Sequence, residues 1–165
     1  MLILGIDPGL ANTGYGIINH NGNSLQIVTY GCIVTSSNKE YSGRLNKIYD
    51  KVSELIESYK PTVMAVEELF FCKNAKTALN VGQARGVIIL AGSKQNIKIK
   101  EYTPLQIKQA VTGFGYAKKD QVQEMVKLLL NLKKPLYPDD AADALAAAIC
   151  CAHNLKTDTL ERNSV

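Results

Sequence analysis

The sequence lacks the cysteine pattern of a zinc site or of a disulfide framework. Its cysteines, Cys32, Cys72, Cys150 and Cys151, form no C-x-x-C pair, and no histidine nearby is spaced to complete a zinc ligand set. Adjacent Cys150 and Cys151 would face different sides of a helix, and we expect Cys150 or Cys151 to be a small core residue. We therefore expect reduced thiols in a cytoplasmic protein, because disulfides are rare in that compartment.

Signals for membranes and secretion are also missing. No apolar run approaches the roughly 20 residues that a bilayer-spanning helix needs. The N-terminus has no basic leader and reaches an acidic residue at Asp7, too early for a signal peptide. Both absences predict a soluble, intracellular protein with no membrane partner.

Length and charge narrow the class of protein further. With 165 residues, of which 46% are hydrophobic, the chain can form one domain with its own core but not two substantial domains. We expect a single domain over residues 1–155 and a polar, flexible C-terminal tail over 156–165. The net charge is +4, and the stretch from Lys94 to Lys134 holds nine lysines against three acids. This concentration favours a nucleic-acid partner, with an ordinary solvated lysine surface as the alternative.

The first nine residues form a strand that ends in a carboxylate. An almost uninterrupted apolar run over residues 2–6 is typical of a strand buried on both faces, and Pro8-Gly9 then turns the chain. Asp7 stands between the two. A carboxylate at the end of a buried strand is costly to desolvate unless something pairs with it, and a metal cation is the simplest partner. Simple capping of the turn is the alternative that these residues leave open.

The apolar periodicity of the remaining chain predicts an α/β protein. Strands over 2–7, 15–18 and 25–35 are joined by short turns, as in an antiparallel meander. A helix from Leu45 to Tyr59 leads to a short buried strand over 62–66, which is followed by Glu67. The later predicted elements are a helix over 75–93, an edge strand over 97–102, helices over 104–111 and 119–132, and an alanine-rich helix over 138–153.

Two pairs of glycines indicate close packing. Gly14 and Gly16 would let the backbone approach whatever lies beside Asp7, unless they only form a bulge. Gly82 and Gly86 flank Arg85 on one face of a predicted helix, where each glycine costs about 1 kcal/mol against alanine. We expect this second pair to pack against another helix or the sheet within the chain, with a dimer interface as the alternative.

Four carboxylates can converge in this arrangement. Asp7 and Glu67 each follow an apolar strand, and Asp140 and Asp143 share a face of the last helix, where Asp139 is better placed as a cap. Complementarity to the helix dipole could by itself explain Asp140, and solvent exposure could explain Asp143. Together, however, four such groups would repel one another unless hard divalent cations neutralised them. Oxygen ligands favour Mg²⁺ or Mn²⁺, and two ions about 4 Å apart can support phosphodiester hydrolysis.

A set of short motifs extends along the chain to about His153. They are Gly5-Ile-Asp-Pro-Gly9, Gly14-Tyr-Gly16, Val66-Glu67, Phe70, Lys73-Asn74, Gly82-Gln-Ala-Arg-Gly86, Pro104, Lys108-Gln109, Gly113, Gly115, Lys119, Gln121-Val-Gln123 and Asp140-Ala-Ala-Asp-Ala-Leu145. Through these motifs the chain resembles one nuclease family, the RuvC-type Holliday-junction resolvases, which have a ribonuclease-H-like α/β fold. A mixed five-stranded sheet flanked by helices is therefore expected.

The resemblance implies a Mg²⁺-dependent endonuclease, with Mn²⁺ able to substitute, that acts as a homodimer on four-way DNA junctions. Its two sites would make symmetric nicks that leave 5′-phosphates and 3′-hydroxyls, in recombination and repair. A junction-recognition protein and a branch-migration motor are the implied partners.

The resemblance also assigns roles to residues. The metal-binding catalytic acids fall on Asp7, Glu67, Asp140 and Asp143, with Glu68 as the less favoured neighbour. Lys108 and Lys119 match basic residues near the scissile phosphate, where they could stabilise charge. Phe70 matches a DNA-contacting aromatic that would stack on a base, while Phe71 is expected in the core. The further expected DNA contacts are Lys73, Arg85 and Lys118.

Three other functions share parts of this sequence pattern. An actin-like ATP-binding domain also opens on an Asp-x-Gly strand, but it needs a second domain for which 165 residues leave no room. A junction-binding architectural protein without catalysis would not favour clustered carboxylates near DNA phosphates. A ribonuclease H would share the metals but needs no obligate dimer, and the paired glycines at 82 and 86 and the Phe70 loop favour the junction enzyme.

Overall fold

The structure, a computed structural model, describes residues 1–22, 24–69 and 75–162, with side chains up to residue 155. Its elements in chain order are β1 (Leu2–Asp7), β2 (Asn12–Asn21), β3 (Ser24–Val34), α1 (Tyr41–Tyr59), β4 (Val63–Glu67), α2 (Ala75–Lys94), β5 (Lys98–Tyr102), α3 (Pro104–Thr112), α4 (Lys119–Leu129) and α5 (Asp139–Arg162). None of the described helices combines the length and apolarity that crossing a membrane would require.

The strands form one mixed sheet in the order β3-β2-β1-β4-β5. The first three strands are an antiparallel meander, and β1 then pairs in parallel with β4, which pairs in parallel with β5. The predicted five-stranded mixed sheet is confirmed, including the position of β5 at an edge. Because β1 is central and parallel to β4, the carboxyl ends of both strands lie at the same edge.

Helices cover both faces of the sheet. On one face α1 and α2 pack on Leu4 and Ile6, while on the other α3, α4 and α5 pack on Ile3. Side chains alternate between the faces of a strand, so Ile3, Gly5 and Asp7 share the face that α5 covers. The alternation therefore directs Asp7 toward the acidic helix.

Helix α5 lies almost directly on the backbone of β1 and β2. A Cβ at Gly5 would overlap the carbonyl oxygen of Ala144 and lie 2.9 Å from the Cβ of Ala148. A Cβ at Gly16 would lie 2.6 Å from the Cδ2 atom of Leu145. The predictions that alanines and glycines allow close helix-to-sheet packing here are confirmed.

Several predicted boundaries were wrong. Strand β2 begins at Asn12, because the buried Thr13 hydroxyl donates to the Gly9 carbonyl at 2.6 Å and holds the strand start against the turn. Helix α1 begins at Tyr41, one turn before the first periodic apolar residue. Helix α4 ends at Leu129, since Asn131 has a left-handed φ of 53°.

The last helix continues to Arg162, beyond the predicted end at His153. Leu155 packs partly buried against the core, and the Asn154 side chain donates to the Cys150 carbonyl at 2.9 Å. These contacts hold residues 154 and 155 in the helix, just beyond the predicted end. The division into a domain over 1–155 and a tail over 156–165 stays a prediction.

The expected packing of Gly82 and Gly86 within the chain was wrong. Among the described residues, a Cβ at Gly86 would meet nothing within 4 Å, and one at Gly82 would meet only the Cδ2 atom of Leu69, at 3.9 Å. Helix α2 instead packs through its opposite side, which buries Ala84 and Ile88. The two glycines lie on its outer side.

Candidate active site

The carboxyl ends of β1 and β4 bring two acids together. Ile6 pairs with Val66 in the parallel register, so Asp7 and Glu67 follow at the same level of neighbouring strands. Both side chains are largely but not completely buried. The sequence-predicted acids at these two strand ends are therefore neighbours.

Helix α5 adds two further acids from above the sheet. Asp7 pairs with Gly14 across the antiparallel ladder, and a Cβ at Gly14 would lie 3.1 Å from the Cβ of Asp140. The first turn of α5 is thereby seated directly over the end of β1. Asp143 follows one turn later and faces the same space as Asp7.

A cleft of about 330 Å³ opens at this edge. Its lining combines the strand-end acids with residues of α3, α4 and α5, and consists of Asp7, Glu67, Pro104, Ile107, Lys108, Lys119, Val122, Asp143 and Ala146. Three of the four predicted acids and both predicted lysines thus line one cleft. Asp140 is not part of this lining but lies beside it.

The electrostatics of the cleft are unfavourable for free carboxylates. Burial raises the pKa of Asp7 to about 8, and the charges of Glu67, Asp143 and Asp140 add to this rise. Burial, followed by the charge of Asp143, raises the pKa of Glu67 to about 7, although Lys108 and Lys119 act in the opposite direction. Ionisation of both Asp7 and Glu67 near neutral pH is therefore unfavourable unless a positive charge compensates it.

Lys119 provides part of the compensation. Its Nζ atom lies 2.9 Å from Oδ2 of Asp143 and 3.7 Å from Oδ2 of Asp139. Burial alone lowers the pKa of Lys119, but the hydrogen bond and charge of Asp143 outweigh it and raise the pKa overall. The first turn of α4 thus supplies a fixed positive charge to the acidic wall of the cleft.

The donor set suits a hard divalent cation, and such a cation fits the electrostatics. The four acids offer only oxygen atoms, which Mg²⁺ and Mn²⁺ prefer. Among the residues with described side chains, no three acidic, histidine or cysteine groups converge on one point at metal-binding distance. Mg²⁺ usually takes one or two carboxylates and completes its shell with water and substrate phosphates.

The structure adds a group that sequence reasoning did not identify. The Cys32 thiol on β3 lies 3.9 Å from Oδ2 of Asp140, and burial together with that charge raises its pKa. Cys32 pairs with Gly14 across the β2–β3 ladder. No sequence signal indicated this neighbour, because it depends on the register of an outer strand.

The other predicted site residues lie elsewhere. Arg85 forms an ion pair with Glu101 of β5. Lys118 is exposed immediately before α4, and Glu68 donates its backbone N–H to the Tyr102 carbonyl at 2.8 Å without lining the cleft. Phe70, Phe71 and Lys73 fall outside the described residues.

Comparison with known proteins places this geometry in a family. The family model for crossover junction endodeoxyribonuclease RuvC matches residues 3–151. The chain is 56% identical over 153 residues to the crossover junction endodeoxyribonuclease RuvC of Alkaliphilus oremlandii, and the alignment covers 93% of both proteins.

Solved structures agree with the sequence comparison. The Thermus thermophilus RuvC structure superposes with a TM-score of 0.90 at 33% identity, covering 96% of this chain and 98% of that one. The same relative in complex with a Holliday junction substrate gives 0.91 at 32% identity, with coverages of 96% and 97%. These matches confirm the predicted ribonuclease-H-like fold. The chain belongs to the RuvC family of crossover junction endodeoxyribonucleases.

Proposed function

We propose that this protein resolves four-way DNA junctions by symmetric, metal-dependent hydrolysis of phosphodiester bonds, leaving 5′-phosphates and 3′-hydroxyls. The observation that carries the proposal is the convergence of Asp7, Glu67 and Asp143 with Lys108 and Lys119 in one cleft. Family membership and the junction complex of the T. thermophilus relative support the substrate class. Recombination and DNA repair are the processes in which such an activity is used.

The acids and lysines have separable roles in this proposal. Asp7, Glu67, Asp140 and Asp143 hold the divalent cations, with Mg²⁺ as the ion, Mn²⁺ as its substitute and two ions per site when DNA is bound. Bound cations would supply charge neutralisation and an activated water. Lys108 and Lys119 place positive charge from α3 and α4 on the cleft, where a scissile phosphate gains negative charge in the transition state.

Symmetric cleavage requires a second active site, and the outer face of α2 supports a homodimer. Leu79 and Leu90 are 68% and 52% exposed there. Together with Gly82 and Gly86 they form an unpartnered apolar stripe within the described part of the chain. Leu90→Glu should shift sedimentation from dimer to monomer, while Leu128→Glu, a matched change on α4, should leave the mass unchanged. A wild-type monomer at micromolar concentration would contradict the dimer.

The remaining assignments extend the proposal beyond the cleft. Phe70, Lys73, Arg85 and Lys118 contact the junction DNA, and residues 1–155 form the nuclease domain with residues 156–165 as a tail. The protein works in the cytoplasm with a junction-recognition protein and a branch-migration motor. Arg85 can take its DNA role only by leaving or sharing Glu101.

The test is cleavage of a synthetic mobile four-way junction in Mg²⁺ by the wild type, Asp7→Asn and the control Asp50→Asn. Asp50 is exposed on α1, away from the cleft. Paired nicks by the wild type and the control, with junction binding but no cleavage by Asp7→Asn, are expected. Binding without cleavage by the wild type in Mg²⁺ or Mn²⁺ would indicate an architectural protein, and cleavage of an RNA–DNA hybrid instead would indicate a ribonuclease H.

A further inference from the structure

Two aromatic side chains are exposed on the loop between α3 and α4. Phe114 is 58% exposed and Tyr116 is 78% exposed. Their ring centroids lie 5.9 Å apart with the planes tilted by 60°. Leu105, 47% exposed, lies close to the same loop. Such a group of large apolar side chains on a short loop is unfavourable in water unless a partner covers it.

The loop is held in one conformation despite its exposure. Gly113 has a φ of 77° and closes α3 by donating its N–H to the Gln109 carbonyl at 2.9 Å. The Gln109 side chain returns a hydrogen bond to the Gly113 carbonyl at 2.8 Å. The Thr112 hydroxyl accepts from the Phe114 N–H at 3.1 Å. The rings are therefore presented by an ordered turn, which lowers the entropic cost of binding through them.

The same loop leads back to the active site. Gly115 is buried, and a Cβ there would lie 3.0 Å from the Cγ atom of Leu105, so the loop runs back along α3 toward its start. Pro104, next to Leu105, lines the cleft, and so does Lys119, three residues after Tyr116. The loop that carries the aromatic pair thus leads into the cleft at Lys119, and we take its exposed end as the rim of the cleft.

The geometry points to a base-stacking platform: Phe114 and Tyr116 bind bases of the DNA strand that enters the cleft. This inference rests on the proposed function. Lys108 and Lys119 fix the phosphate within the cleft, so nucleotides beside that phosphate pass the rim. Every base has a π-face that an aromatic ring can stack on, whatever its sequence. Stacking on the rings requires that bases at the crossover of the junction leave their regular stack.

Charge favours nucleic acid over a protein partner at this surface. Lys118 and Lys119 follow the rings closely in the chain, and Lys119 lines the cleft together with Lys108. Aromatic rings interleaved with lysines are typical of single-stranded nucleic-acid contacts. DNA phosphates would supply a counter-charge to the exposed Lys118, which an apolar protein segment would not. The pair would then hold the strand in position beside the acids, and Phe114 and Tyr116 are positioning residues in this sense.

The experiment places 2-aminopurine at single positions flanking the cut phosphate of a four-way junction. Fluorescence and affinity are measured with Ca²⁺ in place of Mg²⁺ so that the strands stay intact, and single-turnover cleavage is then measured in Mg²⁺. The variants are Phe114→Leu, Tyr116→Leu and the conservative Tyr116→Phe. Leu128→Ala is the matched control, since Leu128 is equally exposed but lies at the far end of α4. Thermal unfolding checks that each variant is folded.

Stacking by the wild type should quench at least one 2-aminopurine position. Each leucine variant should lose that quenching and bind at least about fivefold more weakly, while Tyr116→Phe and the control behave as wild type. Folded leucine variants with unchanged quenching and affinity would overturn the inference. Equal losses in Tyr116→Phe and Tyr116→Leu would also overturn it, because only the hydroxyl would then matter. A wild type that neither binds nor cuts the junction would instead refute the proposed function itself.

Discussion

The crowding of acids around Asp7 predicts that the metal-free protein becomes less stable as the pH rises. The pKa of Asp7 is about 8 in the folded state, against an ordinary value of 3.8. Between these two values the unfolded chain releases the proton while the folded chain retains it. A rise in pH therefore favours the unfolded state across this window and no longer does so above pH 8.

The size of the effect follows from the shift. One pKa unit corresponds to about 1.36 kcal/mol, so Asp7 can lower the free energy of unfolding by at most about 4 kcal/mol between pH 5 and pH 8. Glu67 acts in the same direction up to its pKa of about 7. For a chain of this size 1 kcal/mol changes Tm by roughly 2–4 °C. Water in the open cleft reduces the full value, and we expect a fall in Tm of at least about 4 °C.

The assay is thermal unfolding in EDTA at several pH values for the wild type, Asp7→Asn and Asp50→Asn. Asp7→Asn removes the titrating group and should gain stability over the wild type progressively from pH 5 to pH 8. Asp50→Asn should follow the wild-type slope. Mg²⁺ should restore stability to the wild type, more so at higher pH, because cation binding to these acids releases protons. A Tm independent of pH in EDTA, or equal slopes for the wild type and Asp7→Asn, would refute the reasoning.

Two further predictions test the helix seat and the cleft lysine. Gly5→Ala should destabilise the protein by about 3 kcal/mol or more, because the added methyl group would overlap the Ala144 carbonyl. Gly43→Ala on α1, where a Cβ would meet no described atom within 4 Å, should stabilise the protein by about 1 kcal/mol. Chemical denaturation measures both changes, and equal effects of the two substitutions would contradict this prediction. Lys119→Met should slow junction cleavage about 100-fold, whereas Lys118→Met should mainly weaken junction binding. Cleavage by Lys119→Met at the wild-type rate would exclude a role of Lys119 at the phosphate.

Sequence alone was sufficient where local pattern and tertiary contact agree. The apolar run before Asp7 and the short strand before Glu67 identify two buried strands that each end in an acid, and the parallel pairing in the structure brings these ends together. The spacing of Asp140 and Asp143 sets them on one helix face. Alanine content indicates a helix lying close to the sheet, and Gly14 and Gly16 indicate a close approach of the backbone beside Asp7. These features specify the acidic wall of the cleft.

Sequence failed where the outcome depends on contacts between distant segments. Gly82 and Gly86 have the spacing of a packed helix face, yet spacing does not tell which side of α2 meets α1. The position of Cys32 beside Asp140 depends on the β2–β3 register, which shifts between Ile17 and Ile18. Helix ends were likewise set by individual residues, as at Asn131, whose left-handed φ of 53° follows the end of α4.

The two walls of the cleft are built differently, and this has a mechanical consequence. The acidic wall rests on contact of α5 with the backbone at Gly5 and Gly14, where almost no side chain intervenes. The lysine wall, α3 and α4, rests on α5 mainly through side chains: apolar ones such as Ile107 and Val122, and the ion pair of Lys119 with Asp143. Side chains can change rotamer and slide, whereas backbone seated on backbone cannot. The spacing of the acids is therefore fixed more firmly than the position of the lysine wall, and we expect a bulky substrate to displace the lysine wall while the acids keep their spacing.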